Sequence, residues 1–106
     1  MTDKIIVLTT CDSQEQAARI ARRLVELRVA ACVNIVPSVS SVYRWQEKIE
    51  ETVEFLLVIK SRRDLFTALR AEIEKIHSYE IPEIIAVPVV DGSHAYLGWL
   101  DREMST

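Results

Sequence analysis

The segment "VSSVYRWQEKIEETVEFLLVIK", residues 39–60, sets two runs rich in β-branched and aromatic residues on either side of a short polar stretch. Side chains of these types fit a pleated, half-buried surface, so both runs are read as strands. The polar stretch QEKIEE, 46–51, is read as the turn between them, with one arm over 39–46 and the other over 52–60. Upstream, the first arm begins as ACVNIVP, 31–37, and bends at Pro37. A proline has no N–H to give to a ladder and is tolerated at bends and edges. Both arms exceed the usual strand length of about five or six residues.

Working outward from this hairpin, residues 4–10, KIIVLTT, form a continuous β-branched run that predicts a strand buried on both faces. Ser13, with Gln16 three residues on, is a capping-box pattern. It opens a helix with Ala17, Ile20, Ala21, Leu24 and Leu27 on one side. Beyond the hairpin, Ser61 and Asp64 repeat the capping spacing, and Leu65, Phe66, Leu69, Ile73 and Ile76 make the buried face of a second helix. Pro82 stops that helix, and PEIIAVPVV, 82–90, reads as a fourth strand. Asp91-Gly92 ends the strand, Ser93 caps, and residues 94–103 make a short last helix.

The order is βαββαβ plus a terminal helix. It predicts an α+β fold, a ferredoxin-like sandwich spanning residues 1–106 as a single domain. In that plan the first and third strands are central and the second and fourth are edges. Pro37 and Pro88 both fall in the edge strands, where a missing donor does least harm.

The composition narrows the function. The 106 residues are 49 % hydrophobic, with 13 Lys and Arg against 16 Asp and Glu, giving a net charge of -3. No basic patch stands out, so nucleic acid is not an expected partner. The opening MTDKIIVLTT turns polar too soon for a signal peptide, and no apolar run reaches membrane-span length. Cys11 and Cys32 make neither a CxxC pair nor a disulfide framework, and a cytoplasmic location is expected. With only Gly92 and Gly98 there is no glycine-rich phosphate loop.

The long hairpin carries the strongest functional signal. Its far end bears Val39, Tyr43 and Trp45 on one face and Val42 on the other, beyond what two helices can cover. Tyr96 and Trp99, on the short last helix, add further aromatic surface. Apolar groups displayed in this way mark an association surface, and a closed symmetric oligomer is expected.

Three groups of residues have chemistry to offer. His77 ends the second helix, where it either interacts with the last carbonyls or serves as a metal ligand. Cys11 and Cys32 are small buried filler or, for Cys11 before a helix N-terminus, a thiolate paired with His77. Tyr79, Glu80 and Glu83 flank Pro82, either as a tight turn or as part of a site. No second carboxylate pair suits acid–base work, and no catalytic residue is assigned.

Taken together, AACVNIVPSVSSVYRW (30–45), KIEETVEFLLVIK (48–60), HSYEIPEIIAVPV (77–89) and YLGWL (96–100) resemble the divalent-cation tolerance proteins, CutA, over almost the whole chain. The resemblance implies a stable homotrimer similar in architecture to the PII signalling proteins, with each hairpin reaching over a neighbouring subunit. It also implies binding of a divalent metal ion, Cu(II) foremost, and tolerance to such metals, with no enzymatic reaction. The family's cation ligands are a cysteine late in the first strand and a His-His pair at the end of the second helix. Here those positions hold Thr9 and Ile76, and only His77 matches; Cys11 lies two residues past the strand position. His77, with Cys11, is the metal set the resemblance implies. Cys32, Lys60, Tyr79, Glu83 and Trp99 would meet a small ligand in a cleft between subunits, in the manner of a PII-type sensor. Glu47 stands where the family's hairpin turn has glycine, which implies a looser turn or one of another type.

Overall fold

The computed structural model describes residues 1–105. Strand β1 (Lys4–Cys11) leads to helix α1 (Gln14–Glu26), strands β2 (Cys32–Trp45) and β3 (Lys48–Arg62), a 3-10 turn (Arg63–Leu65), helix α2 (Phe66–Ile76), strand β4 (Ile85–Pro88) and helix α3 (His94–Met104). The sheet order is β2-β3-β1-β4, with every neighbouring pair antiparallel. This is the ferredoxin-like plan, with β1 and β3 central and both strand prolines at the edges.

The alternation of side chains along each strand decides what the helices cover. Ile5, Val7, Thr9 and Cys11 of β1 lie opposite Ser61, Ile59, Leu57 and Phe55 of β3, and this face packs on Ala17, Ile20 and Leu24 of α1 and Leu69 and Ile73 of α2. Apart from its Lys4–Arg62 end, where Asp101 of α3 meets both side chains, the other face is left without helices. There Ile6, Leu8 and Thr10 are half-buried, and Ile85 and Val87 of β4 are exposed. Beyond Lys4, the first strand is therefore covered on one face only within the chain, where the sequence suggested two.

Helix boundaries follow their caps. The Ser13 hydroxyl accepts from the Gln16 N–H at 3.1 Å, and Ser93 does the same for Tyr96 at 3.3 Å. At its far end α1 closes in a Schellman motif: Arg28 N–H donates to Val25 O, Val29 N–H donates to Leu24 O, and Arg28 takes φ 59°. That closure leaves Leu27 exposed instead of on the buried face. Ser61 caps nothing. It is the inward-facing last position of the alternation Leu57, Ile59, Ser61, fully buried in β3, and its hydroxyl donates to Val29 O at 2.6 Å.

The hairpin is longer than the sequence suggested. Only Gln46 and Glu47 make the turn, both at positive φ (49° and 66°), as in a type I′ connection but without glycine. Residues 48–51, read as turn, continue β3 and pair with Trp45 to Val42. Since β1 pairs with β3 only from Phe55 onward, the stretch Lys48–Glu54 has β2 as its sole neighbour. The overhang reaches about 24 Å at about 3.4 Å per residue, and the molecule measures 44 × 25 × 23 Å. A bulge between Val36 and Val39, with Ser38 at φ 61°, bends β2 next to Pro37.

Helix α3 packs Leu100 and Met104 on Ala31 and Leu65 and is tied down by charge. Asp101 meets Lys4 Nζ at 3.1 Å and Arg62 Nη1 at 3.4 Å, and Lys4 also pairs with Asp3. The bond from Lys4 foremost, with the Lys4 charge and then Arg62 adding to it, holds the Asp101 carboxyl below the usual range against the opposing effect of burial. Because the folded value lies below the unfolded value of about 3.9, the stabilisation is complete above that pH and is lost as pH falls through the folded pKa. Trp99 fluorescence in a Trp45→Phe background is expected to report loosening of α3 below about pH 4, and Asp101→Asn is expected to lack that transition.

Candidate functional site

The C-terminal end of α2 builds the best-formed polar arrangement in the chain. At His77 the backbone leaves the helix for extended geometry (φ -71°, ψ 138°), and the ring is held from both sides. One nitrogen, Nε2, lies 2.7 Å from Thr10 O, which can only accept, so Nε2 carries the proton. The other, Nδ1, accepts from the Tyr79 N–H at 3.1 Å. Both nitrogens are thus committed within the chain. Gln16, at the start of α1, clamps the same turn: its Nε2 donates to Ile76 O at 3.0 Å and its Oε1 accepts from the Ser78 N–H at 3.1 Å.

This bracing delivers Tyr79 to the helix-free side of the sheet. Its ring lies 4.8 Å from that of His77, and its hydroxyl donates to Glu54 Oε2 at 2.6 Å. Burial first, and then the bond to Glu54, pushes the Tyr79 phenol well above its ordinary pKa, so it stays a donor. Glu54 is only 6 % exposed, and among the described residues no ion pair involves it. Glu54 and Tyr79 sit in a concavity of about 530 Å³ between the overhanging hairpin and the α2–β4 connection. Tyr43 and Trp45 line it from the hairpin, and Glu80, Ile81 and Glu83 line it from the connection.

The remaining expected site residues lie elsewhere. Cys11 is fully buried on the helix-covered face, its Sγ 3.7 Å from Ser13 O. Burial pushes its thiol up, which opposes the thiolate needed for a nucleophile or a metal ligand. Cys32 pairs with Lys60 on the open face, where the Lys60 ammonium contacts Asn34 Oδ1 and comes within 4.0 Å of Cys32 Sγ. Tyr96 and Trp99 stack with centroids 5.7 Å apart, and the Tyr96 phenol is raised by burial and by Cys32 nearby. The five cleft residues therefore fall into two sets. Lys60 and Glu54 are six positions apart on β3, about 20 Å, so one chain does not join Cys32, Lys60 and Trp99 to Tyr79 and Glu83.

Among the described residues, no three His, Cys, Asp or Glu side chains converge as a metal centre requires. Sequence reasoning missed Glu54 and Gln16. Glu54 had a signal: an acid in an otherwise apolar run, at the same parity as Leu56 and Val58 on the open face. Gln16 had none, since its capping role accounted for it.

The whole arrangement matches known proteins. A profile for the CutA1 divalent ion tolerance protein covers residues 5–103. The divalent-cation tolerance protein CutA of Thermus thermophilus is 46 % identical over 90 % of this chain and 92 % of its own length. The human protein CutA is 45 % identical over 86 % of this chain, which spans 51 % of the human protein's length. The crystal structure of CutA from Xylella fastidiosa superposes with a TM-score of 0.95 at 39 % identity, covering 98 % of this chain and 100 % of that one. With that profile spanning nearly all of its length and relatives this similar, the chain belongs to the CutA1 divalent ion tolerance protein family.

Proposed function

We propose that the protein acts in the cytoplasm as a homotrimer serving divalent-cation tolerance, capturing ligands between its copies and catalysing no reaction. The observation that carries this reading is apolar surface that one chain cannot cover. Val42, Ile49 and Val53 are 59–65 % exposed on one face of the overhang, and Val36, Ile85 and Val87 are exposed on the helix-free face of the sheet. A two-stranded ribbon is marginal by itself, and neighbouring copies would supply its missing packing. Val39, Tyr43, Trp45, Tyr96 and Trp99 are assigned to the same interface. The number three rests on the family likeness. Two free thiols, on opposite faces of the sheet, suit a reducing compartment. Light scattering at micromolar concentration is expected to give about three times the 12.1 kDa chain mass; a 12.1 kDa species would overturn the reading.

Association also supplies what one chain lacks for the small-ligand cleft. In a closed ring, Cys32, Lys60 and Trp99 of one copy would face Tyr79 and Glu83 of the next, as in a PII-type sensor. Cu(II) on His77 and Cys11 is the sharper form of the cation reading, and the residues present do not fit it. His77 has no free nitrogen, the Cys11 thiol is buried and protonated, and no third donor converges. Cu(II) titration is therefore expected to give equal affinities for the native protein and His77→Ala. A loss of about tenfold or more in the variant would restore His77 as a ligand.

A further inference from the structure

We propose that Asp91-Gly92, in the link between β4 and α3, is a self-modification site. There the chain closes to a succinimide and reopens with water as an isoaspartyl linkage that loosens α3. The inference goes beyond the assembly reading, and neither residue of the pair belongs to the contact between copies assigned there. Residues 89–93 lie outside any helix or strand, and Asp91, Gly92 and Ser93 are exposed. The Gly92 N–H donates to Oδ1 of its own neighbour, Asp91, at 2.9 Å. That bond closes a ring through Gly92 N and the Asp91 atoms C, Cα, Cβ, Cγ and Oδ1. Without the oxygen, the remaining heavy atoms are those of a succinimide ring. The nitrogen is thus held beside the carbon it attacks, and holding reacting groups in near-attack geometry raises the rate.

The chemistry needs only water. The Gly92 nitrogen attacks Cγ of the protonated Asp91 acid. The N–Cγ bond forms, the bond from Cγ to its hydroxyl breaks, and hydroxyl and amide proton leave together as water. Water then adds to either imide carbonyl. Breaking N–Cγ restores aspartate; breaking the bond between Gly92 N and Asp91 C leaves the main chain running through Cβ and Cγ. Glycine leaves the nitrogen unshielded, and packing favours its retention. A Cβ at position 92 would come within 3.1 Å of Leu97 Cδ2, and Leu97 packs against Leu100 and Met104. The other aspartates, Asp3, Asp12, Asp64 and Asp101, precede Lys4, Ser13, Leu65 and Arg102, whose side chains hinder the nitrogen. The consequence falls on α3. The Val89 N–H is fixed to Lys4 O at 3.0 Å, and the Ser93 hydroxyl caps the Tyr96 N–H at 3.3 Å. An extra backbone carbon between these anchors displaces the cap.

The test is incubation of the full chain in heavy-oxygen water at neutral pH and physiological temperature, then tryptic digestion in ordinary water and mass spectrometry. A synthetic peptide of residues 86–97 supplies the free-chain rate. Label at Asp91, with an isoaspartyl isomer of the same tryptic peptide, is expected at a rate no lower than in the free peptide. It is expected about tenfold or more above the rate at the other four aspartates. Asp91→Glu, whose ring would be one atom larger, is expected to keep its circular dichroism and take up no label at that position. No label at Asp91, or slower labelling than in the free peptide, overturns the proposal, because the fold would then hold the groups apart. Label that returns only as aspartate, or equal label in Asp91→Glu, also overturns it. The isoaspartyl form, separated by chromatography, is read by Trp99 fluorescence in the Trp45→Phe background. Emission identical to that of the unmodified form overturns the loosening of α3.

Discussion

Val87→Glu is expected to reduce the mass in solution from about three chains to one, while leaving the secondary structure intact. Val87 lies on the helix-free face opposite Ile6 and is 45 % exposed in the single chain. A carboxylate there can reach water while the chain is alone. In the assembly the same carboxylate would be enclosed by apolar side chains with no partner, at a cost of order several kcal/mol per subunit. That cost recurs at each copy and would exceed what one interface can absorb. The control is Val25→Glu on the outer side of α1, also substantially exposed, where the same change is expected to leave the mass unaltered. Light scattering at matched concentrations checks both. An unchanged Val87→Glu mass would place the association surface elsewhere.

Leu57→Ala is expected to cause the largest loss of stability of any single truncation considered. Leu57 is fully buried at the middle of β3, between Ile35 of β2 and Thr9 of β1, under both helices. Removing its side chain forfeits transfer energy and leaves a cavity that two strands and two helices cannot close. The cost is of order 3–5 kcal/mol, read as a lower urea midpoint with an unchanged slope. Protein concentration must be held fixed, because association adds to apparent stability. Leu57→Met, which nearly conserves volume, is expected to lose less than about 1.5 kcal/mol. Equal losses for the two would mean that the core relaxes around the gap.

The element order and the central and edge roles of the strands were legible because each depends on local pattern. Proline at 37 and 88, and serine at 13 and 93, act through their own backbone neighbours. Ser61 misled because its three-residue spacing to Asp64 imitates a cap. The strand alternation through Leu57 and Ile59, equally visible, was the stronger constraint and turned the hydroxyl to Val29 O. The tip misled because polar residues look like loop, whereas Lys48, Glu50 and Glu51 are polar merely because a projecting ribbon is wet.

The site was legible only in part. Tyr79 and Glu83 announced themselves around Pro82, but Glu54 lies 25 residues from Tyr79 and meets it only through the sheet register. His77 was visible as a histidine at a helix end, yet its partners, Thr10 O and the Tyr79 N–H, follow from tertiary placement. Backbone partners of this kind leave no mark in a sequence, and they decide whether an imidazole is available to a ligand.

The two borders of the sheet bear on a hazard that any self-adhesive β protein faces. A straight outer strand would template end-to-end growth into fibrils, since its unpaired amides accept any extended chain. Here the β2 border is broken by Pro37 and the left-handed Ser38, and the short β4 border closes on Pro88. These breaks oppose growth along the hydrogen-bonding direction, the direction in which amyloid fibrils extend.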